Sequence, residues 1–491
     1  MNRLRTTLAL AAFAFAIASP ASAQEPVDLA IIARIKSEGL DRSQVLQTFN
    51  VLTNVMGPRL TGTPAYNRSA EWSRAKLAEW RMVNARLEAF PFGRGWTLEK
   101  LTLEMTAPRY FPLIGYPQAW TPSTRGLISG KPVYIGEKTA AELQAMGDQL
   151  RGAIVLAARP QGAFLLQDRV QPADHTEPVR IGSPQFPRVT SATAGNAQTG
   201  ILQRAGAAVI VRPSATQHGT LFALGSRNTQ DDAVPTIILA AEHYNMLVRM
   251  VEAGEPVDLR VELGVRYHTA DTNSYNVIAE IPGEDPALRD EVVMIGAHLD
   301  SWHASTGGTD NGDGAAVALE AMRILKAIGV RPKRTIRVAL WGGEEQGLLG
   351  ARAYAQRHLA GDANAAAREK FSVYFNDDPG SGATFGFYME NNAAAKAIFD
   401  AWLEPLKDLG AKRNVIAGIG STDHRAFTAL GIPGFTAIKD YTNYDVYSRH
   451  GNADFFERVS EADLKQSSVV LAVFAWHAAT RAARLPRVGA Q

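Results

Sequence analysis

The sequence predicts an α/β fold: a mostly parallel sheet with helices on both faces, into which a smaller β-rich domain is inserted. Three observations carry this. Across residues 275–485, short continuous apolar runs alternate with helix-length stretches, the pattern of parallel strands buried on both faces. Between about residues 122 and 265 the texture changes to short strands and turns rich in Gly and Pro. The two borders of that stretch, residues 117–125 and 266–274, read as linkers.

In chain order, the pattern begins helical, with Leu29, Ile32 and Ile35 on one face and a second run over residues 45–55. A helix is predicted over 69–83, then alternating strands at 87–92 and 101–105. The inserted stretch holds strands at 132–135, 153–156 and 207–211, with a helix at 194–205. The last region has strands at 277–281, 292–296, 335–341, 372–376 and 434–438. Its helices fall at 315–328, 347–358, 393–409, 423–430 and 460–484, where Pro486 ends the last. The organisation that follows is a leader at 1–23, a host domain at 24–121 and 267–491, and the insert at 122–266.

Composition narrows the function. With 491 residues, 46% apolar and 20% charged, the chain can bury a large core and has no disorder signature. A net charge of +2 without a Lys/Arg run argues against nucleic acid or an anionic membrane as partner. The absence of cysteine excludes a disulfide scaffold, a thiol nucleophile and any thiolate-bound metal. Arg3 and Arg5, an apolar run over 8–18 and Ala21-Ser22-Ala23 form a secretory signal with cleavage before Gln24. That run is shorter than the ~20 residues that span a bilayer, so an exported protein, periplasmic or extracellular, is predicted. Oligomeric state has no signature in the sequence.

In open α/β sheets, ligands sit beyond the carboxyl ends of the strands. His298 and Asp300 follow the strand at 292–296, Glu344 and Glu345 the one at 335–341, and Asp377 and Asp378 the one at 372–376. His450 lies in the loop after 434–438, and Asp310 in the turn Gly307-Gly308-Thr309-Asp310-Asn311-Gly312. Each alone has an ordinary explanation: a surface His-x-Asp pair, carboxylates at a helix start, an Asp-Pro turn. A calcium-type loop starting at Asp310 fails, since its twelfth residue is Ala321 rather than Glu. Together they supply two imidazoles, two terminal carboxylates, one carboxylate on a Gly-rich turn and one left over. A pair of zinc ions with a shared carboxylate and a general base needs such a set. No Gly-x-Ser-x-Gly, His-Glu-x-x-His or phosphate-binding Gly-rich loop competes with that reading.

The segments Gly296-Ala297-His298-Leu299-Asp300-Ser301, Thr309-Asp310-Asn311-Gly312, Trp341-Gly342-Gly343-Glu344-Glu345, Asn376-Asp377-Asp378 and Arg449-His450-Gly451 resemble the ordered motifs of the M28 family of metallopeptidases. Met56-Gly57-Pro58-Arg59-Leu60-Thr61-Gly62 is similar to that family's start, and the likeness is greatest to its branch of carboxypeptidase Q and bacterial aminopeptidases. Leu150-Arg151-Gly152-Ala153-Ile154-Val155 and Ala205-Gly206-Ala207-Ala208-Val209-Ile210 resemble a protease-associated (PA) domain. The resemblance implies a zinc-exopeptidase fold with two zinc ions per chain. Asp310 would bridge them, His298 and Asp378 would hold one, and Glu345 and His450 the other. Spacing from Asn376 selects Asp378, with Asp377 beside it as the alternative. Glu344 would be the general base that takes a proton from a metal-bridging water, and Asp300 would orient the His298 ring. Asp423 is a further support residue, and Tyr447 is a proposed donor to the oxyanion. The implied substrate is a short peptide trimmed at one terminus, by aminopeptidase or dipeptidase activity in preference to carboxypeptidase activity. A single-zinc acyltransferase of the glutaminyl cyclase type shares the scaffold and is the alternative.

Overall fold

The computed structural model describes residues 25–176 and 191–488; the leader at 1–23 and its cleavage site lie outside them. A seven-stranded sheet organises the larger part of the chain. Its strands are β1 (Val83–Pro91), β2 (Asn273–Ile281), β3 (Val292–His298), β4 (Thr335–Trp341), β5 (Phe371–Asn376), β6 (Ser381–Tyr388) and β7 (Gly434–Asp440), in the spatial order β1-β2-β4-β3-β5-β7-β6. The central strands β4, β3, β5 and β7 run parallel, and β1, β2 and β6 pair antiparallel at the edges.

Side chains of the central strands alternate between two apolar layers. Val293, Ile295, Ile336, Val338, Leu340, Val373 and Phe375 face the larger core. That core is closed by α1 (Leu29–Asp41), α2 (Pro64–Glu79), α3 (Asp313–Ala327), α5 (Ala393–Leu403) and α6 (Glu461–Thr480). Met294, Ala339, Trp341 and Tyr374 face the other side, covered by α4 (Leu349–His358) and the short helix Arg425–Thr428. Helices on both faces of a largely parallel sheet explain why the strands read as unbroken apolar runs rather than alternating ones.

Local chemistry accounts for the element ends. α2 starts at Pro64, earlier than the predicted 69, because the Thr63 side chain accepts from Tyr66 N at 3.1 Å and Pro64 occupies the first turn. The single helix predicted over 393–409 breaks at Leu403 into a 3-10 segment, Glu404–Leu409, at Pro405. α6 is capped by Ser460, whose Oγ accepts from Asp463 N at 3.1 Å. β6 escapes sequence reading because Gly382 and Gly386 interrupt its alternation; its place is set by antiparallel pairing with β7.

Two smaller sheets stand beside the large one. One is five-stranded, ordered Gly115–Pro117, Thr236–Leu239, Val209–Pro213, Ile154–Leu156 and Val133–Tyr134. The other is four-stranded, built on the long antiparallel pair Gly95–Ala107 and Asp258–His268. The strands at 95–117 thus join these sheets although they precede residue 122. Their partners lie far along the chain, so the alternating pattern of 95–107 does not reveal which sheet it enters. Among the described residues, no helix is long and apolar enough to cross a membrane.

Candidate metal centre

The carboxyl ends of β3, β4, β5 and β7 converge on one edge of the large sheet. β3 ends at His298, whose side chain is 1% exposed. Its Nδ1 lies 3.0 Å from the backbone oxygen of Asp300 and 3.5 Å from Asp300 Oδ1. The ring is therefore turned so that Nε2 points outward. The Asp300 carboxylate also serves the next strand end: Oδ1 accepts from Glu344 N at 3.2 Å, and Oδ2 from Glu345 N at 3.3 Å and Thr61 Oγ1 at 2.9 Å. One buried carboxylate thus ties the His298 loop to the Glu344-Glu345 turn. Gly342 in that turn is required by packing, since a Cβ there would meet Tyr66 Oη at 2.2 Å.

Asp310 sits between these groups in the Gly-rich turn. The Asp454 carboxylate holds that turn by accepting from Thr309 N at 2.6 Å and Asp310 N at 3.1 Å. From there Asp310 reaches both imidazoles: Oδ1 is 3.2 Å from His298 Nε2, and Oδ2 is 3.2 Å from His450 Nε2. Asp378 Oδ1 lies 3.8 Å from His298 Nε2, and Glu345 Oε2 lies 3.0 Å from His450 Nε2. Two three-residue donor clusters result, His298–Asp310–Asp378 and Asp310–Glu345–His450, with Asp310 common to both. The alternatives left by the motifs separate geometrically. Asp377 turns away from the clusters to lie 3.1 Å from Lys439 Nζ. Glu344 belongs to neither cluster but lines the adjoining cavity.

The electrostatics are those of a site built for cations. Burial disfavours charge on both imidazoles, yet the carboxylates prevail. Asp300 and Asp310 hold His298 well above the ordinary histidine range, and His450 is raised to about 9, chiefly by Glu345. Burial raises Glu345 and Asp378 as well, against the pull of the histidines. Glu344 is pushed well above the usual carboxylate range by burial, opposed by His298 and reinforced by Asp378 and Asp423. Asp423 is fully buried, and neither of its oxygens has a hydrogen-bond partner; burial, with Asp300 and Asp378 nearby, raises it too.

The centre opens into a cavity of about 730 Å³, within the range of small-ligand sites. Tyr444 lines it and was not picked out by sequence. Its side chain is fully buried, its hydroxyl has no hydrogen-bond partner, and Asp310 and Asp378 act on it electrostatically. Tyr447, the tyrosine singled out by proximity to His450, instead packs its ring 6.1 Å from that of His218, with the Arg458 guanidinium 5.8 Å from its centre. The segment Tyr444–Ser448 is an irregular helical turn, so no simple period says which tyrosine faces inward. Trp302 was also missed; its Nε1 donates to Glu345 Oε2 at 2.7 Å.

Residues 276–475 match the model of peptidase family M28. Over 468 residues the chain is 26% identical to carboxypeptidase Q of Mus musculus, covering 94% of this chain and 90% of that one. Among solved structures, a peptidase M28 precursor from Shewanella amazonensis superposes with a TM-score of 0.69 at 25% identity, covering 93% of this chain and 98% of that one. A zinc aminopeptidase from Bacillus subtilis shares the fold, with a TM-score of 0.59 at 18% identity over 90% of this chain and 96% of that one. The motif residues that form the two donor clusters meet at one sheet edge, and all of them lie within residues 276–475, the stretch of the chain that matches peptidase family M28.

Proposed function

We propose that the protein is an exported two-zinc exopeptidase that trims short peptides, with His298 and Asp378 holding one ion, Glu345 and His450 the other, and Asp310 shared. The observation that carries this reading is the pair of donor clusters joined by a single carboxylate. Their chemistry fits zinc: imidazole nitrogen and carboxylate oxygen only. Tetrahedral zinc with bonds near 2.0–2.1 Å sets its donors ~3.3 Å apart, and the separations between His Nε2 and carboxylate oxygens run from 3.0 to 3.8 Å. Buried Glu345 Oε1, which has no hydrogen-bond partner, is a further donor at that position.

Bound there, the ions would acidify a shared water and polarise the scissile carbonyl. The chain's own groups do the rest. Glu344, at the cavity wall beside Glu345, accepts the water's proton and returns it to the leaving amine. Tyr444 Oη donates to the oxygen on which charge develops, a role its unpaired buried hydroxyl suits. Tyr444→Phe is therefore expected to lower kcat by about 10²–10³ with KM little changed. Steady-state kinetics on the folded variant checks this, and a kcat within two-fold of wild type would exclude Tyr444.

The substrate reading is aminopeptidase or dipeptidase activity, with the domain at 122–266 covering the cleft so that only short peptides enter. Arg169 from that stretch lines the cavity, and Phe222 places its ring 5.7 Å from His450. Elemental analysis of the purified protein tests the metal count. About two zinc ions per chain are expected, whereas one would favour the cyclase-type alternative. A panel of aminoacyl-arylamides, dipeptides and N-blocked peptides, read by mass spectrometry, tests the terminus. Release of the C-terminal residue from N-blocked peptides would turn the assignment to a carboxypeptidase.

A further inference from the structure

The loop after β7 carries Tyr444 and His450. Asn443 has φ 63° and His450 has φ 56°, both in the left-handed region, where a residue with a Cβ is disfavoured. Residues 168–171, far away in sequence, grip it along one side. Arg169 Nη2 donates to Asp445 Oδ1 at 2.6 Å and Nε to Oδ2 at 2.8 Å, and its backbone N donates to Oδ2 at 3.0 Å. The two side chains are 2% and 0% exposed. The guanidinium lies 4.9 Å from the centre of the Tyr441 ring and 5.4 Å from that of Tyr444. Asp168 accepts from Asn443 N at 2.7 Å and Val446 N at 3.0 Å, and Gln171 Nε2 donates to Lys439 O at 2.7 Å. A second segment of the same stretch closes the far end: Leu221 N donates to Asn452 Oδ1 at 2.7 Å, and Phe222 bridges to Gly451.

We propose that Arg169 is a positioning residue, through which the 122–266 stretch holds Tyr444 and His450 in their working places, so that the Glu345–His450 metal position depends on it while the His298–Asp378 position does not. The physical grounds are three. A fork-to-carboxylate pair fixes Asp445 in both distance and plane, which a single contact would not. The pair is buried, so water does not substitute for it. The residues it fixes lie within the same loop, residues 441–452, as the proposed ligand and donor, whereas His298 and Asp378 stand at or just past strand ends, Asp300 holds the Glu345 turn, and Asp454 holds the backbone of Asp310, whose turn meets the loop through Thr309 Oγ1 donating to Ser448 Oγ at 2.9 Å. The stretch then completes the centre as well as covering it.

The inference rests on the two-zinc reading, and its test separates the two. Wild type, Arg169→Gln and Arg169→Lys are loaded with zinc and titrated against a chelator, with circular dichroism as the check on folding. Outer partners of metal ligands typically change affinity 10–100-fold. Arg169→Gln is expected to weaken one of the two zinc ions by that factor while the other is unchanged, to lower kcat more than it changes KM, and to speed amide exchange over residues 441–452 with β3 and β5 unaffected. Arg169→Lys, which keeps the charge but not the fork, should recover part of the loss. Asp168→Ala, at a half-buried position, gives the same selectivity at a few-fold level and decides the matter if Arg169→Gln does not fold. Two zinc ions bound with wild-type affinity in a folded Arg169→Gln, or equal weakening of both, would overturn the proposal. A wild-type protein that binds one zinc would instead overturn the two-zinc reading, and loop exchange would then judge Arg169 alone.

Discussion

Glu344→Gln is expected to abolish most turnover, lowering kcat by about 10²–10⁴, while zinc content stays at the wild-type level. Glu344 belongs to neither donor cluster, so no metal contact is lost. The substitution removes a carboxylate that burial and the neighbouring Asp378 and Asp423 keep well above its usual range. Thermal stability should therefore be equal or higher, because an amide of the same shape is spared that repulsion. Glu345→Gln is the contrast, since Glu345 Oε2 sits 3.0 Å from His450 Nε2 and receives the Trp302 Nε1 hydrogen at 2.7 Å. That variant should lose zinc as well as activity. Kinetics and elemental analysis on the two side by side check the assignment; a Glu344→Gln enzyme with near-wild-type kcat would refute it.

The largest expected effect on stability lies beneath the centre. Lys439, at the end of β7, places Nζ 3.0 Å from Asp313 Oδ2 and 3.1 Å from Asp377 Oδ1, and none of the three side chains is more than 2% exposed. Burial alone would strip the proton from Lys439, but the two carboxylates hold it on. Lys439→Met leaves two buried carboxylates without their cation, a change that costs about 3–5 kcal/mol. The loss should vary with pH. Burial has already raised Asp313 to about 7, against the pull of Lys439. An acid whose folded pKa is raised takes up protons on folding, so its contribution is full below pH ~4, the ordinary aspartate range, and is lost as pH rises towards 7. Without Lys439 the penalty extends higher, so the variant should melt further below wild type at pH 8 than at pH 5. Asp313→Asn in the same chain should restore part of the difference, as expected for residues in contact. Denaturant unfolding of the three proteins at both pH values measures it, and an equal deficit at pH 5 and pH 8 would exclude the charge explanation.

Much of this architecture was legible beforehand, and for a physical reason. Strands buried on both faces must be continuously apolar, so β2, β3, β4, β5 and β7 announced themselves. A sheet of that kind gathers its polar loop residues at one edge, which put His298, Asp310, Glu345, Asp378 and His450 within reach of one another before any coordinates. The less legible parts are those settled by distant partners. β6 and the strand Gly95–Ala107 have patterns that do not say which strand lies beside them.

The residue types, their order and their location at strand ends were thus set by local composition and period, and they sufficed to point to a candidate site of imidazole and carboxylate donors. Which of two adjacent carboxylates faces that centre was decided by packing, because Lys439 draws Asp377 the other way. Which tyrosine looks into the cavity depended on an irregular turn held by Arg169, whose contact with Asp445 spans 276 positions of sequence. Side-chain direction in such a loop is a property of the groups that grip it, and those groups come together only in the folded chain.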